Sequence, residues 1–424
     1  MGKNDQTISA IVETGQCVSC GLCRAVCPKN CIAVNKREKA YLPKIDSEQC
    51  IQCGICNQIC PGNQFDYNRE YGYSSEPKNF WVGEYRKILS MQSRNQTILK
   101  SATSGGVVTQ VVKFLLDRGD YDCAFLVDTY NYEQEVHTRR FKATDDILKS
   151  TKSRYIPVAQ SEAISYALKH TEKRIIFVGT GCFVHGFINV LRKYSLDRNN
   201  YLILGLFCDR TMQYGIYDYF NQHPKCKGKL DQLLFRTKEA GGWPGNMRLI
   251  FSDDRFIDLN AGERMEVKDY FQLERCLYCL DKLNQFADIS VGDDYITDKT
   301  DKRGRSTVIV RTEKGEKIIE NMADYFHTFA IKEEELVQSQ KLYLRKKNLQ
   351  YISKKGLTAK VPESVIRELD DSGNDVSTEY KNKLMKIKMG KECNYRQIRA
   401  SIPIKKKVIC LLANLVKIIP FGRV

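Results

Sequence analysis

The chain lacks the segments that mark an exported or membrane-spanning protein. Its N-terminus has no apolar core of the kind found in signal peptides, and no apolar stretch reaches the roughly 18 residues that a spanning helix needs. A myristoylation signal is also absent, because Gln6 stands where serine or threonine is required. We therefore expect a cytoplasmic protein. Its 42% of hydrophobic residues and only 10 prolines are typical of an ordinary globular chain.

Cysteine, by contrast, is abundant, with 17 in 424 residues. Disulfide scaffolds are usually short, secreted chains, and nothing in this sequence indicates export. Reduced thiols that hold a metal are therefore the better interpretation. A chain of this length has room for two or three domains.

Two cysteine runs near the N-terminus share the spacing C-x2-C-x2-C-x3-C-P, and the second begins 33 residues after the first. This spacing is typical of bacterial ferredoxins with two 4Fe–4S clusters, in which the fourth cysteine of each run binds the other cluster. One cluster is therefore assigned to Cys17, Cys20, Cys23 and Cys60. The other is assigned to Cys50, Cys53, Cys56 and Cys27. Such a module moves electrons.

The residues around the two runs support the same interpretation. Gly21 and Gly54 allow the backbone to approach a cluster and leave amide groups free to bond its sulfur. Cys31 lies just outside the first run and is interpreted as a spare buried thiol rather than a ligand. The residues between the runs predict a small β-hairpin.

The longer segment that follows alternates strand-like and helix-like patterns, which predicts an α/β body with a largely parallel or mixed sheet. Ligands bind at the carboxyl ends of the strands in such sheets. The Ser104-Gly105-Gly106 sequence at a helix start suits a phosphate, but it also fits a plain helix cap. Gly179 and Thr180, which follow an apolar strand, have the same two interpretations.

Four further cysteines form a set. Cys182 and Cys208 each follow an apolar strand, and Cys276 and Cys279 form a C-x2-C pair. Together they provide four ligands for a third 4Fe–4S cluster or a zinc ion. The alternative is that the two strand-end thiols are small core residues.

These motifs, in this order, resemble the beta-subunit family of the hydrogenases and dehydrogenases that use coenzyme F420, a deazaflavin. Members of that family also include 7-hydroxymethyl chlorophyll a reductase and bacterial proteins encoded near polysaccharide-biosynthesis genes. The resemblance covers roughly residues 15–312. Beyond the cysteines, it rests on Thr103 to Gly106, Lys152-Ser153-Arg154-Tyr155, Gly179 to Cys182, Ala287 to Asp293 and Ser306 to Thr312.

The resemblance implies a flavin, FAD, bound in the α/β body beside a 4Fe–4S cluster, and it favours the cluster over zinc for the third site. A flavin pairs the single electrons that clusters carry. The flavin contacts that it implies are Ser104, Gly105, Gly106, Lys152, Ser153, Arg154, Tyr155, Gly179, Thr180 and Asp293. The chain departs from many relatives at Gly181 and Phe183, and at Asp209 and Arg210, so the resemblance does not identify the substrate.

The C-terminal residues carry most of the net charge of +16, because residues 340–424 hold 20 Lys and Arg against 7 Asp and Glu. The apolar run Val408 to Ile419 follows three lysines, which is typical of a helix lying on an anionic membrane surface. A helix packed on the body is the alternative. Nucleic acid is not an expected partner, because no reader motif is present. The predicted division is a ferredoxin module at 1–75, a flavin and iron–sulfur body at 80–339 and a basic tail at 340–424.

The sequence predicts an iron–sulfur flavoprotein oxidoreductase with its own small-molecule substrate and with ferredoxin or another redox partner. The resemblance to proteins encoded near polysaccharide genes suggests a role in polysaccharide biosynthesis. A second hypothesis is an electron-transfer subunit that serves a partner enzyme. A third is a binding protein in which the clusters are structural.

Overall fold

The computed structural model describes residues 7–37, 39–63, 67, 79–128, 135–226, 228–297, 300–357, 360–370, 376–404 and 407. The strands, in chain order, are β1 Ile32–Arg37, β2 Ala40–Ile45, β3 Lys87–Ser93, β4 Cys123–Val127, β5 Thr138–Phe141, β6 Ile175–Thr180, β7 Tyr201–Leu206, β8 Leu230–Thr237, β9 Asn246–Phe251, β10 Phe256–Leu259, β11 Ile289–Asp293, β12 Ser306–Val310 and β13 Phe326–Ala330.

The helices, in chain order, are α1 Ile8–Glu13, α2 Leu22–Ala25, α3 Ile55–Gln58, α4 Gln96–Ser101, α5 Val107–Asp117, α6 Ser161–Lys169, α7 Gly181–Lys193, α8 Gly215–Asn221, α9 Ala261–Phe271, α10 Glu313–Asn321, α11 Glu333–Ser339, α12 Lys346–Lys354, α13 Glu363–Asp370, α14 Ser377–Glu392 and α15 Tyr395–Ser401. Short 3-10 turns lie between some of them, including Glu274–Tyr278 and Leu342–Arg345.

The N-terminal module is built from two similar loops around one hairpin. The predicted hairpin is confirmed: β1 and β2 pair antiparallel, with Ile32 opposite Ile45. Each cysteine loop ends in a one-turn helix that begins at a glycine in the left-handed region, with φ of 75° at Gly21 and 72° at Gly54. A side chain would be strained there, so glycine is favoured at both positions.

The body is organised around an eight-stranded mixed sheet, in the order β13-β3-β12-β11-β7-β6-β4-β5. Strands β4, β6, β7 and β11 run parallel to one another, and the outer strands pair antiparallel. The parallel strands are buried on both faces by helices, which explains their continuous apolar sequences. The sequence prediction of an α/β body with a mixed sheet is therefore confirmed.

A second, three-stranded antiparallel sheet, β10-β9-β8, stands beside the main one. Its inner face packs Phe235, Met247 and Leu249 against the aromatic residues of α8 and α9. The last residues of β8 reach the carboxyl ends of the parallel strands, where Arg236 meets Asp293 at the end of β11. The small sheet therefore supplies one wall of the site described below.

The basic residues that follow position 339 are not a separate tail in the described part of the chain. Leu349, Tyr351, Tyr380 and Ile387 are buried on the body, and the Tyr278 hydroxyl lies 2.7 Å from that of Tyr380. The segment predicted as a basic tail therefore packs on the body over its described part. The terminal run Val408 to Ile419 lies outside the described residues. Among the described residues, no helix combines the length and apolar character needed to cross a membrane.

Candidate electron-transfer site

The two predicted cluster sites of the module are two separate cavities. Cys17, Cys20, Cys23 and Cys60 line the first, which we call the inner cavity because Glu135 of the body also lines it. Cys27, Cys50, Cys53 and Cys56 line the second, the outer cavity. The predicted exchange of the fourth cysteine between the two runs is therefore present in the geometry.

The two loops also share a backbone conformation. Ser19 and Gln52, at equivalent positions, both have φ of 55°. At the first of these turns Ser19 N donates to Cys17 Sγ at 3.4 Å. Beyond the second one-turn helix, Gly62 N donates to Cys60 Sγ at 3.3 Å. Amide groups aimed at cysteine sulfurs stabilise the thiolates that bind a cluster.

The gathered thiols need a cation in order to ionise. Burial, followed by repulsion from Cys60, raises the pKa of Cys20 well above its ordinary value. Burial raises the pKa of Cys60 to about 12. Metal ligands must be deprotonated, so the positive charge of iron is the natural partner of such a set.

The third predicted set of cysteines also comes together. Strands β6 and β7 are parallel neighbours, with Thr180 opposite Leu206, so Cys182 and Cys208 emerge side by side two residues beyond the paired positions. The thiolates of Cys276, Cys182 and Cys279 each interact electrostatically with Cys208, and its pKa is raised by burial and then by these neighbours. The structure thus gathers the four thiols at the carboxyl edge of the sheet.

The spacing of the thiols differs from that of a single-ion site. Among the described residues, no three His, Cys, Asp or Glu side chains are close enough together to hold one metal ion. A cubane cluster places irons and sulfides between its ligands, so its cysteines form a wider ring. The cavities lined by cysteines fit that requirement.

Residues beyond position 339 hold the loops of the third set in place. Arg345 Nη2 donates to the carbonyls of Cys208 at 3.2 Å and Asp209 at 3.0 Å. Asn348 Nδ2 donates to the carbonyl of Cys279 at 2.6 Å. The predicted domain boundary at residue 339 therefore lies between the third set of cysteines and the side chains that hold their loops in place.

Arg275 lies between the inner cavity and the third set. Its Nη2 donates to the carbonyl of Pro61 at 3.2 Å, and its positive charge favours the thiolate forms of Cys60 and Cys182. One guanidinium thus interacts with a thiol of the module and a thiol of the body. The two cysteine sets are neighbours across the boundary between module and body.

A cleft of about 410 Å³ opens at the carboxyl ends of the parallel strands. The ends of β4, β6, β7 and β11 line it, and so do Cys20 of the module and Cys182 and Cys208 of the body. Its volume lies within the range of small-molecule sites, roughly 300–1,000 Å³. The position is the one expected for ligands in open α/β sheets.

The cleft wall carries an excess of positive charge. Five cations line it, against two carboxylates: Lys152, Arg154, Arg210, Arg236 and Lys282, and Asp209 and Asp293. Both carboxylates are already in ion pairs with arginines. Burial lowers the pKa of Lys152 and lowers that of Lys282 to about 8. A bound anion would stabilise the protonated lysines, so the wall is suited to a phosphate-bearing ligand.

The structure brings nearly all of the predicted flavin contacts to this cleft. Ser104, Gly106, Lys152, Ser153, Arg154, Tyr155, Gly179, Thr180 and Asp293 line it. Lys152 has φ of 76°, a conformation that is costly for a residue with a side chain. Gln160 Oε1, on the same wall, is buried without a hydrogen-bond partner among the described residues, so it can accept from a ligand.

Gly105 is the exception among the predicted contacts. It does not line the cleft, and its amide donates to Ser306 Oγ at 3.0 Å. A Cβ atom at this position would lie 2.4 Å from the carbonyl oxygen of Met91 and 2.7 Å from the amide of Ser306. Glycine is needed here because the chain lies directly against the backbone of Met91 and Ser306, which are paired residues of β3 and β12, so the expected phosphate contact is corrected to a packing role.

Asp293 is fixed by several partners. Arg236 forms two hydrogen bonds with its carboxylate, one of them 3.0 Å long, and Trp243 Nε1 donates to it at 3.2 Å. Burial opposes the ionisation of Asp293, but the Arg236 guanidinium holds its pKa below the ordinary value. The carboxylate therefore shapes the cleft and positions Arg236.

Sequence reasoning missed several cleft residues, among them Arg236, Lys282, Tyr295 and Gln340. Arg236 lies in β8, far along the chain from the glycine turns, and no local motif marks it. Lys282 lies three residues after Cys279, and this proximity to the cysteine pair was the one available signal.

The fold and the site define an iron–sulfur protein with a ligand-sized cleft beside its cluster cysteines. Comparison with known families agrees. Residues 88–165 match the N-terminal part, and residues 172–334 the C-terminal part, of the family described as coenzyme F420 hydrogenase/dehydrogenase, beta subunit. Residues 16–63 match a 4Fe-4S dicluster domain. The chain belongs to the coenzyme F420 hydrogenase/dehydrogenase beta-subunit family and carries a dicluster ferredoxin module.

Individual relatives share about a quarter of their aligned residues with this chain. A component of the F420H2 dehydrogenase of Methanosarcina mazei is 25% identical over 75% of this chain and 85% of its own length. The coenzyme F420-dependent sulfite reductase of Methanocaldococcus jannaschii is 25% identical over 73% of this chain. The chain spans less than half of that reductase, 46% of its length.

A solved structure shares the fold. One chain of the F420-reducing [NiFe] hydrogenase complex of Methanosarcina barkeri, from a xenon-derivatised structure, matches with a TM-score of 0.50 and 21% identity. The match covers 66% of this chain and 93% of that one.

Proposed function

We propose that the chain is an iron–sulfur flavoprotein that passes electrons between a cluster near its surface and a flavin, FAD, held in the cleft. The observation that carries this proposal is the lining of the cleft. Thiols of the inner cavity and of the third cysteine set lie on the wall of the same cationic, ligand-sized cleft. Two clusters, one of the module and one of the body, would therefore adjoin one binding site.

The chain's own residues have distinct roles in this proposal. Lys152 and Arg154 offer charge to a diphosphate, and Arg236, held by Asp293, offers charge deeper in the cleft. The third cysteine set, at the strand ends, would hold the cluster that adjoins the ligand. A flavin, when bound, supplies the exchange between single-electron and two-electron chemistry.

Flavin extraction from anaerobically purified protein tests the proposal. The unaltered chain should release FAD, and Lys152→Gln should lower its retention by about tenfold, because about 1.4 kcal/mol of charge interaction is lost. Lys142→Gln, a matched change at an exposed lysine outside the cleft, should leave retention unchanged. Protein that contains its irons but never carries a flavin would overturn the proposal.

A second candidate is an electron-transfer subunit that serves a partner enzyme. Family membership favours it, because relatives are named as subunits of hydrogenases and dehydrogenases, and the solved relative comes from a hydrogenase complex. In that case a diffusing coenzyme such as the deazaflavin would bind in the cleft and exchange electrons with the clusters. The reaction of the partner enzyme would supply or consume those electrons.

The two candidates differ in what the chain does alone. A self-contained oxidoreductase turns over a small substrate without other proteins, whereas an electron-transfer subunit only equilibrates reduced coenzyme F420 with its own clusters. Stopped-flow mixing of the purified chain with reduced coenzyme F420 measures reduction of its clusters. A second assay, for turnover of a small substrate by the same protein without a partner, separates the two candidates. The substrate, any role in polysaccharide biosynthesis and the predicted membrane contact of the C-terminus stay predictions.

A further inference from the structure

The outer cavity has one thiol more than a 4Fe–4S cluster uses. Besides the four assigned cysteines it is lined by Cys31, a residue that is only 7% exposed. The inner cavity is lined by its four assigned cysteines and, among the described residues, by no fifth. The difference is already visible in the sequence, since Gln64 stands four positions after Cys60, where Cys31 stands four positions after Cys27.

The fold brings the extra thiol to one particular ligand. Cys31 Sγ lies 3.4 Å from Cys27 Sγ. Between them the chain makes a tight turn, in which Asn30 has φ of 51° and its amide donates to the carbonyl of Cys27 at 3.1 Å. The amide of Asp46 donates to the carbonyl of Cys31 at 2.8 Å, which ties the far side of the turn to the hairpin.

We propose that Cys31 is an alternate ligand of the outer cluster, able to take the place of Cys27. In the exchange the bond between iron and Cys27 sulfur breaks and a bond between the same iron and Cys31 sulfur forms. The proton of the Cys31 thiol passes to the departing Cys27 sulfur across their contact. No electron is gained or lost, and the charge of the cluster and its four ligands is unchanged.

The outer cavity is also where an alternate ligand is useful. Cys53 is exposed there and Cys27 is half-buried, so oxidants in solvent can reach ligands of the outer cluster. A buried second thiol would keep the cluster ligated when Cys27 is lost or modified.

Alanine variants of the full-length chain test the proposal, because alanine cannot bind iron. Cys27→Ala should keep all of its iron, and resonance Raman spectra should still show a cluster with cysteine ligands only. Cys31→Ala should also keep its iron. The double variant Cys27→Ala/Cys31→Ala should lose up to about four irons, the content of one cubane.

Cys60→Ala is the matched control, because it removes the equivalent ligand of the inner cluster, where no fifth thiol is present among the described residues. It should lose iron as the double variant does. Loss of the outer cluster from Cys27→Ala would overturn the proposal, whether or not the inner cluster stays, since a competent alternate ligand preserves both. Full iron in the double variant would overturn it as well, because Cys31 would then be unnecessary. The test does not depend on a flavin.

Discussion

The inner and outer cavities of the module arise from the same cysteine spacing, yet they lie in opposite surroundings. The inner cavity borders the body: the carbonyl of Cys20 accepts a hydrogen bond from Gln160 N at 2.8 Å, and Cys20 also lines the cleft. The outer cavity borders solvent, where Cys53 is exposed and Ile51 is 58% exposed. Ligand spacing therefore determines which kind of cluster forms. Tertiary packing determines the groups with which that cluster can exchange electrons.

This difference gives the proposed electron route two ends. The outer cluster would exchange electrons with a partner protein, because one of its ligands, Cys53, is exposed to solvent. The inner cluster would exchange them with the body, because Arg275 and the cleft wall lie against it. A partner that docks at the outer cavity therefore need not approach the cleft.

The largest expected effect comes from removing two cysteines of the third set, in the body. Cys276→Ser/Cys279→Ser should lower the iron content by about four of about twelve atoms per chain, one cubane of three. The spectra of the module clusters should be unchanged, because their ligands lie on other loops. Iron analysis and low-temperature electron paramagnetic resonance measure both quantities.

Cys226→Ser/Cys393→Ser is the control for that experiment, since these two half-buried thiols belong to no assigned set. It should lose no iron. An unchanged iron content in Cys276→Ser/Cys279→Ser would mean that the body holds no third cluster.

A smaller effect should follow from widening the contact between module and body. Gly186 of α7 faces the module, where an added Cβ would lie 2.6 Å from Leu22 Cδ2 and 3.1 Å from Pro61 Cδ. Gly186→Val should therefore lower the free energy of unfolding by about 1–3 kcal/mol and slow electron transfer from the module to the cleft. Thermal unfolding and stopped-flow reduction measure the two effects.

Lys193→Val, at the exposed end of the same helix, is the comparison for Gly186→Val and should change neither quantity. If Gly186→Val transfers electrons at the original rate despite its lower stability, the inner cavity does not deliver electrons to the body through this contact.

The smallest effect concerns the outer cavity. Ile51→Ser removes an exposed apolar side chain beside Cys53, and it should weaken docking of a ferredoxin-type partner by roughly fivefold, about 1 kcal/mol. Met385→Ser, a change of similar size at a residue that is 54% exposed on α14, should have no effect. Partner-driven reduction rates at several partner concentrations distinguish the two, and equal behaviour of the variants would place the docking surface elsewhere.

The local parts of this structure were predictable from the sequence. The cluster cavities follow from the cysteine spacing of two runs that exchange their fourth ligand. The pairing of Cys182 with Cys208 follows from two adjacent parallel strands. The charge that surrounds the cleft was not predictable in the same way. Arg236 and Arg345 reach the site from segments distant in the chain, and only the packing of β8 and of the residues after 339 brings them there.

Gly105 shows the opposite failure, in which a local motif was visible but its physical reason was different. A glycine pair at a helix start favours a phosphate site when only neighbours in the sequence are considered. The structure shows that the backbone of β3 and β12 leaves no room for a side chain at this position. Close approach of the chain to backbone that is distant in the sequence requires glycine as strictly as a ligand does.

The hydrogen bonds from Arg345 and Asn348 to the cysteine loops of the body also determine the order in which the cysteine sites are completed during synthesis. A ribosome releases the module first, and all of its assigned cluster cysteines have been translated by position 60, well before Glu135 and the rest of the body. The loop around Cys208 lacks its support until Arg345, 137 residues further on, has been translated, and the loop around Cys279 lacks its support until Asn348, 69 residues further on. Iron can therefore enter the module while the body is still being made, and the body site is the last to be completed.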